Sequence, residues 1–308
     1  MQGEENDMKR KTRLVALMMC MVLSFTLVQA CGSSSKEEEK DIVTSENKGE
    51  LETTDKNESE KTVTIEEQVL FEQDGIVVIA KEYVTDPIWG DGIKLLIENN
   101  SDKDITLGCN ALIVNNYMIS DLLVSGVAAG KKANEVMYLS SEELEAAGIE
   151  SVGQIEVYFH VYHTDTYETL FDTDGITIQT SEYADMDTTP DDAGMELYHA
   201  EGIRIVGKTV DENSFWGTAI LLYCENNSGR NVSISVEEMS INGFMMNPLF
   251  TTTIYDGKMA VEDITIFSSD LEENGIEKVE DVELKFHIYD ADSYDTIADS
   301  DVITFSAQ

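Results

Sequence analysis

Basic residues are scarce in this chain: 20 Lys and Arg stand against 61 Asp and Glu, a formal net charge of −41 over 308 residues. A surface of that sign repels the phosphates of DNA and RNA. Nucleic acid is thereby excluded as a partner, and anionic lipid headgroups repel the folded part in the same way. Cysteine (4), histidine (4), proline (3) and tryptophan (2) are nearly absent. So few thiols rule out a disulfide-dense scaffold. Four imidazoles leave little for a zinc site, which wants three or four converging ligands. No Ser lies in a G-x-S-x-G elbow and no Cys has a His nearby, so no nucleophile is marked. Pairs of carboxylates must lie close by accident in so acidic a chain and do not by themselves mark a glycosidase. The expectation is a protein that is not an enzyme and carries no cofactor.

Long apolar runs are also missing, save one. Leu14 to Ala30 is a 17-residue apolar stretch, preceded by Lys9, Arg10, Lys11 and Arg13 and followed by a polar spacer. It is short for a spanning helix, which needs about 20 residues, and its order of basic, apolar and small residues is that of an export signal. Residues Met1 to Asp7 are acidic and ill suited to the head of such a signal, which points to Met8 as an alternative start. The tetrapeptide Val28-Gln29-Ala30-Cys31 resembles the lipobox of bacterial lipoproteins. That resemblance implies that Cys31 receives a diacylglyceryl group and becomes the first mature residue, on the extracytoplasmic face of the cell membrane. Two acyl chains make such an anchor durable, where one holds only marginally.

Past Cys31 the chain is polar to about Thr64 and has almost nothing to bury. It reads as a flexible tether with a span of about 30 Å. Beyond it the sequence matches itself without a gap at a shift of 127 residues, Leu70–Ser181 against Leu197–Gln308. Trp89-Gly90 falls on Trp216-Gly217, Glu98-Asn99-Asn100-Ser101 on Glu225-Asn226-Asn227-Ser228, and Phe159-His160 on Phe286-His287. Two long copies describe tandem domains rather than a solenoid of short repeats. The division is 1–30 signal peptide, 31–65 disordered acidic tether, 66–181 first domain, 182–195 linker and 196–308 second domain. The linker contains Pro190 and reads as long enough for independent domain motion.

Within each copy apolar residues alternate: Ile93, Leu95 and Ile97 with Ile220, Leu222 and Cys224, and Val157, Phe159 and Val161 with Leu284, Phe286 and Ile288. Period two is the mark of half-buried strands. Asn242-Gly243 is a two-residue hairpin signal, with Asn115-Asn116 in its place in copy one. Ser141–Ala147 and Ser268–Asn274 each predict one short helix, closed by Gly148 and Gly275. About seven strands and one helix per copy predict an all-β fold of two tandem Ig-like antiparallel β-sandwich domains. The arrangement resembles the uncharacterised tandem Ig-like domains of Gram-positive surface lipoproteins, and that resemblance brings no catalytic residues.

Cys109 and Cys224 align with Val236 and Ile97 of the other copy, so both read as buried free thiols. His160 and His287 have the opposite parity to Phe159 and Phe286 and read as surface residues in cross-strand packing. A recurring acidic set, Asp165, Asp172 and Asp174 against Asp292, Asp299 and Asp301, is a candidate calcium cage at the end of each sandwich. Trp89 and Trp216 read as core plugs rather than sugar platforms. Tyr158, Tyr162 and Tyr289 point outward and are candidate contact residues. The expected function is presentation of two domains for binding a protein or a ligand. A wall-polysaccharide binder, with or without calcium, and an accessory subunit of a membrane complex are the alternatives.

Overall fold

Alternation in residues 76–99 closes the chain into a hairpin: β2 (Ile76–Asp86) pairs antiparallel with β3 (Gly90–Asn99), burying Ile76, Val78, Ala80, Ile93, Leu95 and Ile97 on one face. This structure, a computed structural model, describes residues 62–306. The expected signal peptide, Cys31 and the expected tether as far as residue 61 lie outside the described residues. β1 (Gln68–Gln73) extends the β2 edge and β7 (Lys131–Tyr138) the β3 edge, giving the order β1-β2-β3-β7. A second layer is centred on the antiparallel pair β4 (Ile105–Val114) and β8 (Gln154–His163). β5 (Tyr117–Ile119) and β6 (Val124–Val127) share the outer edge of β4, while β9 (Thr169–Asp172) and β10 (Ile176–Gln179) share that of β8. Both layers feed one core, in which Leu107, Leu112, Val157 and Phe159 meet Val78, Leu95 and Met137. Each large side chain so buried contributes about 1.5–3 kcal/mol.

Every element recurs 127 residues later. The first layer of the second half is β11 (Met195–Ala200), β12 (Ile203–Ser214), β13 (Gly217–Asn226) and β17 (Lys258–Phe267). The second is β14 (Val232–Ile241), β15 (Phe244–Met245), β16 (Thr251–Ile254), β18 (Asp281–Asp290), β19 (Thr296–Asp299) and β20 (Ile303–Ser306). Helices α1 (Ser141–Ala146) and α2 (Ser268–Glu273) follow β7 and β17. Gly148 and Gly275 sit at φ 69° just past them, where the amides of Ile149 and Ile276 donate back to Leu144 and Leu271. The all-β, antiparallel expectation stands. In each half β2-β3-β7 and β10-β8-β4-β5, or their repeats, follow the A-B-E and G-F-C-C′ order of an Ig-like sandwich, with β1 as an added edge strand. Ten strands appear where about seven were expected, because β1 is added and two edge positions are each filled by two short pieces.

The recurring Glu-Asn-Asn-Ser segment has a structural basis. Asn99 is fully buried, and its amide donates to the carbonyls of Lys103 (2.7 Å) and Val127 (2.9 Å). Its Oδ1 accepts from the amide (3.0 Å) and hydroxyl (2.7 Å) of Ser101. Asn226 does the same with Arg230, Ile254 and Ser228. Each Asn thus locks the exit of β3 or β13 to the end of β6 or β16 in the opposite layer.

The halves are not independent, and the expectation of a freely moving pair is corrected. β5 of the first half runs parallel to β17 of the second, so one ten-stranded sheet passes through both. Val206, Tyr223, Met259 and Val261 pack on the core of the first half, and Met118 packs on that of the second. The segment 182–195 holds a short 3₁₀ turn at Tyr183–Asp185, and its Asp191 and Asp192 pair with Lys208 and Arg204. Such pinning leaves little of the freedom its composition suggested.

Candidate functional site

On the outer face of β8 the odd-even pattern sets His160 and Tyr162 in a row, and the turn into β9 adds Tyr167. Ring centroids are 5.2 Å apart from His160 to Tyr162 and 6.1 Å from Tyr162 to Tyr167. The second half repeats the row in His287, Tyr289 and Tyr294, at 5.3 and 6.2 Å. Tyr167 and Tyr294 close their turns by donating to the carbonyls of His163 and Asp290, at φ 58° and 64°. A bulky residue in the left-handed region is an outlier that costs about 1–2 kcal/mol, and here it holds an exposed ring over the strand in both copies. His160 Nδ1 lies 2.5 Å from Asp172 Oδ1 and His287 Nδ1 lies 2.6 Å from Asp299 Oδ1. A carboxylate only accepts, so it fixes the proton on Nδ1. Asn110 donates to the same Asp172 oxygen at 2.9 Å. The result is a row of three rings bordered by carboxylates, suited to an apolar ligand face with a polar rim.

Several sequence-level readings change here. Asp172 and Asp299 serve the imidazoles, Asp165 and Asp292 lie in the exposed turns, and Asp174 and Asp301 stand on the short segments after β9 and β19. Among the described residues no three acidic, imidazole or thiol groups converge as a metal site, so the calcium reading is set aside. Tyr162 and Tyr289 are the middle rings of the two rows. Tyr158 belongs to neither: its ring meets Tyr255 of the second half edge-on at 4.8 Å and its hydroxyl donates to Glu156 at 2.7 Å. Trp89 and Trp216 are not core plugs, since each is 57% exposed beside exposed Ile88 and Phe215. They precede the first pleat of β3 and β13 and so fall outside the sandwich, with Asp86 capping the amides of Ile88 and Trp89 at 2.8 and 3.0 Å. Cys224 is buried and Cys109 half-buried, both free, and burial pushes both thiols up. His160 and His287 pack across strands at the surface, as expected. Sequence reasoning missed Tyr167 and Tyr294; their matched positions in the 127-residue repeat were the available signal.

The junction is the second feature. The amide of Met259 donates to Asn116 O (3.0 Å), and Asn116 Nδ2 to Gly257 O (2.9 Å). Lys258 Nζ meets Glu156 Oε2 at 2.6 Å, with both side chains 16% exposed. Burial alone would raise Glu156, but the bonds from Lys258 and Tyr158 outweigh it and hold the carboxyl below its ordinary value. Beside the junction a cleft of about 370 Å³ is lined by Asn110, Met118, Asp121, Thr252, Tyr255 and Glu262. Burial, and then the charge of Glu143, push Glu262 up to about 7, against a bond from Thr252. Burial also raises Asp121. Glu262 can therefore hold a proton near neutral pH.

The fold defines a class, an all-β protein of two fused antiparallel sandwiches. No protein-family model matches the chain, and neither does any curated protein. Among solved structures the chain is similar to the crystal structure of a protein of unknown function from Porphyromonas gingivalis W83. The identity is 9%, over 70% of this chain and 89% of that one, with a TM-score of 0.19. No helix among the described residues is long and apolar enough to cross a membrane.

Proposed function

We propose that the chain is a non-catalytic binding protein, held on the extracytoplasmic face of the cell membrane by a lipid on Cys31, with one binding face on each sandwich half. The observation behind this reading is the recurrence of His160-Tyr162-Tyr167 as His287-Tyr289-Tyr294, including the strained backbone that holds the last ring of each row. Backbone strain concentrates where a side chain has work to do. The half-buried row with its exposed end ring, Tyr167 or Tyr294, also favours the polysaccharide reading over a protein partner. Flat rings take the C–H face of a sugar while carboxylates such as Asp172 and Asp299 accept from its hydroxyls. The net charge of −41 selects a neutral or amine-bearing polymer over a phosphate-bearing one.

Isothermal titration of the full chain with neutral glucan and chitin oligosaccharides tests the site. Heat that disappears in the Tyr162→Ala/Tyr289→Ala variant supports the reading, and equal binding by both proteins removes it. Mass spectrometry of the membrane-extracted chain tests the anchor, which predicts a diacylglyceryl adduct on Cys31 and release from membranes on Cys31→Ser.

A further inference from the structure

The junction between the halves is heterologous: an edge of one kind, β5, meets an edge of another kind, β17. Because the halves are repeats, each surface exists twice, and the junction uses one copy of each. The unused copy of the β5 surface is β15. There Phe244 and Met245 stand where the junction covers Tyr117 and Met118. Tyr117 is 4% exposed, against 46% for Phe244 and 67% for Met245. Exposed Glu283 stands where Glu156 grips Lys258. The unused copy of the β17 surface is β7 with the outer face of its sheet. Exposed Lys131 takes the place of Lys258, and half-buried Ile79 and Leu96 take the places of Val206 and Tyr223, which the junction buries.

We propose that this protein binds a second copy of itself head to tail, the β15 edge of one chain seating on the β7 edge of the next in the geometry of the internal junction. Continuity argues for it, since the same fold already makes this contact once. Charge argues for it as well: Glu283 faces Lys131 in the arrangement that Glu156 and Lys258 adopt internally. The copied surface is more polar than its template, with Lys132 for Met259 and Asn134 for Val261, and smaller, with Ala128 for Tyr255. Lys132 is also engaged by Glu98 of its own sheet. The contact is therefore weaker than the internal one and reversible, and confinement on a membrane would favour it by raising the effective concentration. A head-to-tail contact does not saturate at two copies, so it builds open rows or rings.

Sedimentation of the full-length chain in detergent, over a range of protein concentrations, tests this. Met245→Glu spoils the β15 edge and Lys131→Glu spoils the β7 edge. Both positions are exposed, and unchanged melting temperatures confirm that each variant folds. The wild-type mass is expected to rise past the dimer, and each variant alone to stay monomeric with association weakened at least tenfold. An equimolar mixture of the two variants should stop at the dimer, because it holds one intact edge of each kind. A wild type that remains monomeric, in which case Lys131 and Lys132 merely blunt an edge, overturns the proposal. So does a wild type that stops at two copies, or one whose association survives both substitutions.

Discussion

Replacing Asn99 or Asn226 by Ala probes the duplicated architecture at one matched atom cluster. Asn99→Ala removes four hydrogen bonds at once. Lys103 lies at the surface and can turn to water, and Ser101 is only half-buried, so those groups recover part of the loss. The Val127 carbonyl cannot, because that residue is 3% exposed. One orphaned buried carbonyl costs about 1–3 kcal/mol, and the space left by the carboxamide adds to it. The expected total is about 3 kcal/mol at each site. For a unit of this size that lowers the melting temperature by roughly 6–12 °C. Asn226→Ala should cost the same within about 0.5 kcal/mol, since Ile254 and Ser228 reproduce the arrangement. Asn→Asp should cost more, since it sets a buried carboxylate against two carbonyl oxygens. Urea unfolding with a fixed m-value measures these differences. A cost below about 1 kcal/mol at either position would refute the claim that these amides lock the layers together.

Three further outcomes follow from other parts of the molecule. Glu262 keeps its proton in the folded state up to about 7 and loses it at its ordinary value of 4.5 when unfolded, so stability falls as pH rises through that window. The loss is at most about 3 kcal/mol, less for a half-exposed group, and Glu262→Gln should flatten the slope in urea melts taken on either side. Glu156→Gln leaves Lys258 half-buried without its counter-charge and should cost about 1–3 kcal/mol in the same assay; a neutral result would mean that the ion pair does not hold the junction. Tyr167→Asn loses the ring contact but suits the left-handed backbone, whereas Tyr167→Ala keeps the strain. Asn should therefore melt higher than Ala by an amount equivalent to about 1 kcal/mol, and the order reverses if φ 58° is not strained in solution.

Much of the fold was legible because a repeat tests its own reading. The apolar alternation at Ile93, Leu95 and Ile97 recurs at Ile220, Leu222 and Cys224, and both sets are fully buried. The positive-φ hairpins at Asn115-Asn116 and Asn242-Gly243, and the glycine stops of the helices, follow from residue chemistry alone. Period two reports which face of a strand a residue takes, not what covers that face, so Tyr158 and Tyr117 gave no sign that the second half lies against them. Trp89 was misread because a large apolar ring next to a strand looks like core, whereas its place in the turn before β3 keeps it outside. Tyr167 and Tyr294 escaped because tyrosine is not a turn-forming residue, and their left-handed backbone and ring stacking show their part in the rows.

The fusion of the halves through β5 and β17 holds the rows on β8 and β18 at one spacing, and if both rows bind ligand as proposed, that spacing becomes a gauge. A polymer whose repeat distance matched the gap between them would engage both without first freezing any hinge, so the second contact would cost little further entropy. One of mismatched period could use only a single face, and discrimination between ligands would then rest on their length and pitch as much as on the sugars themselves.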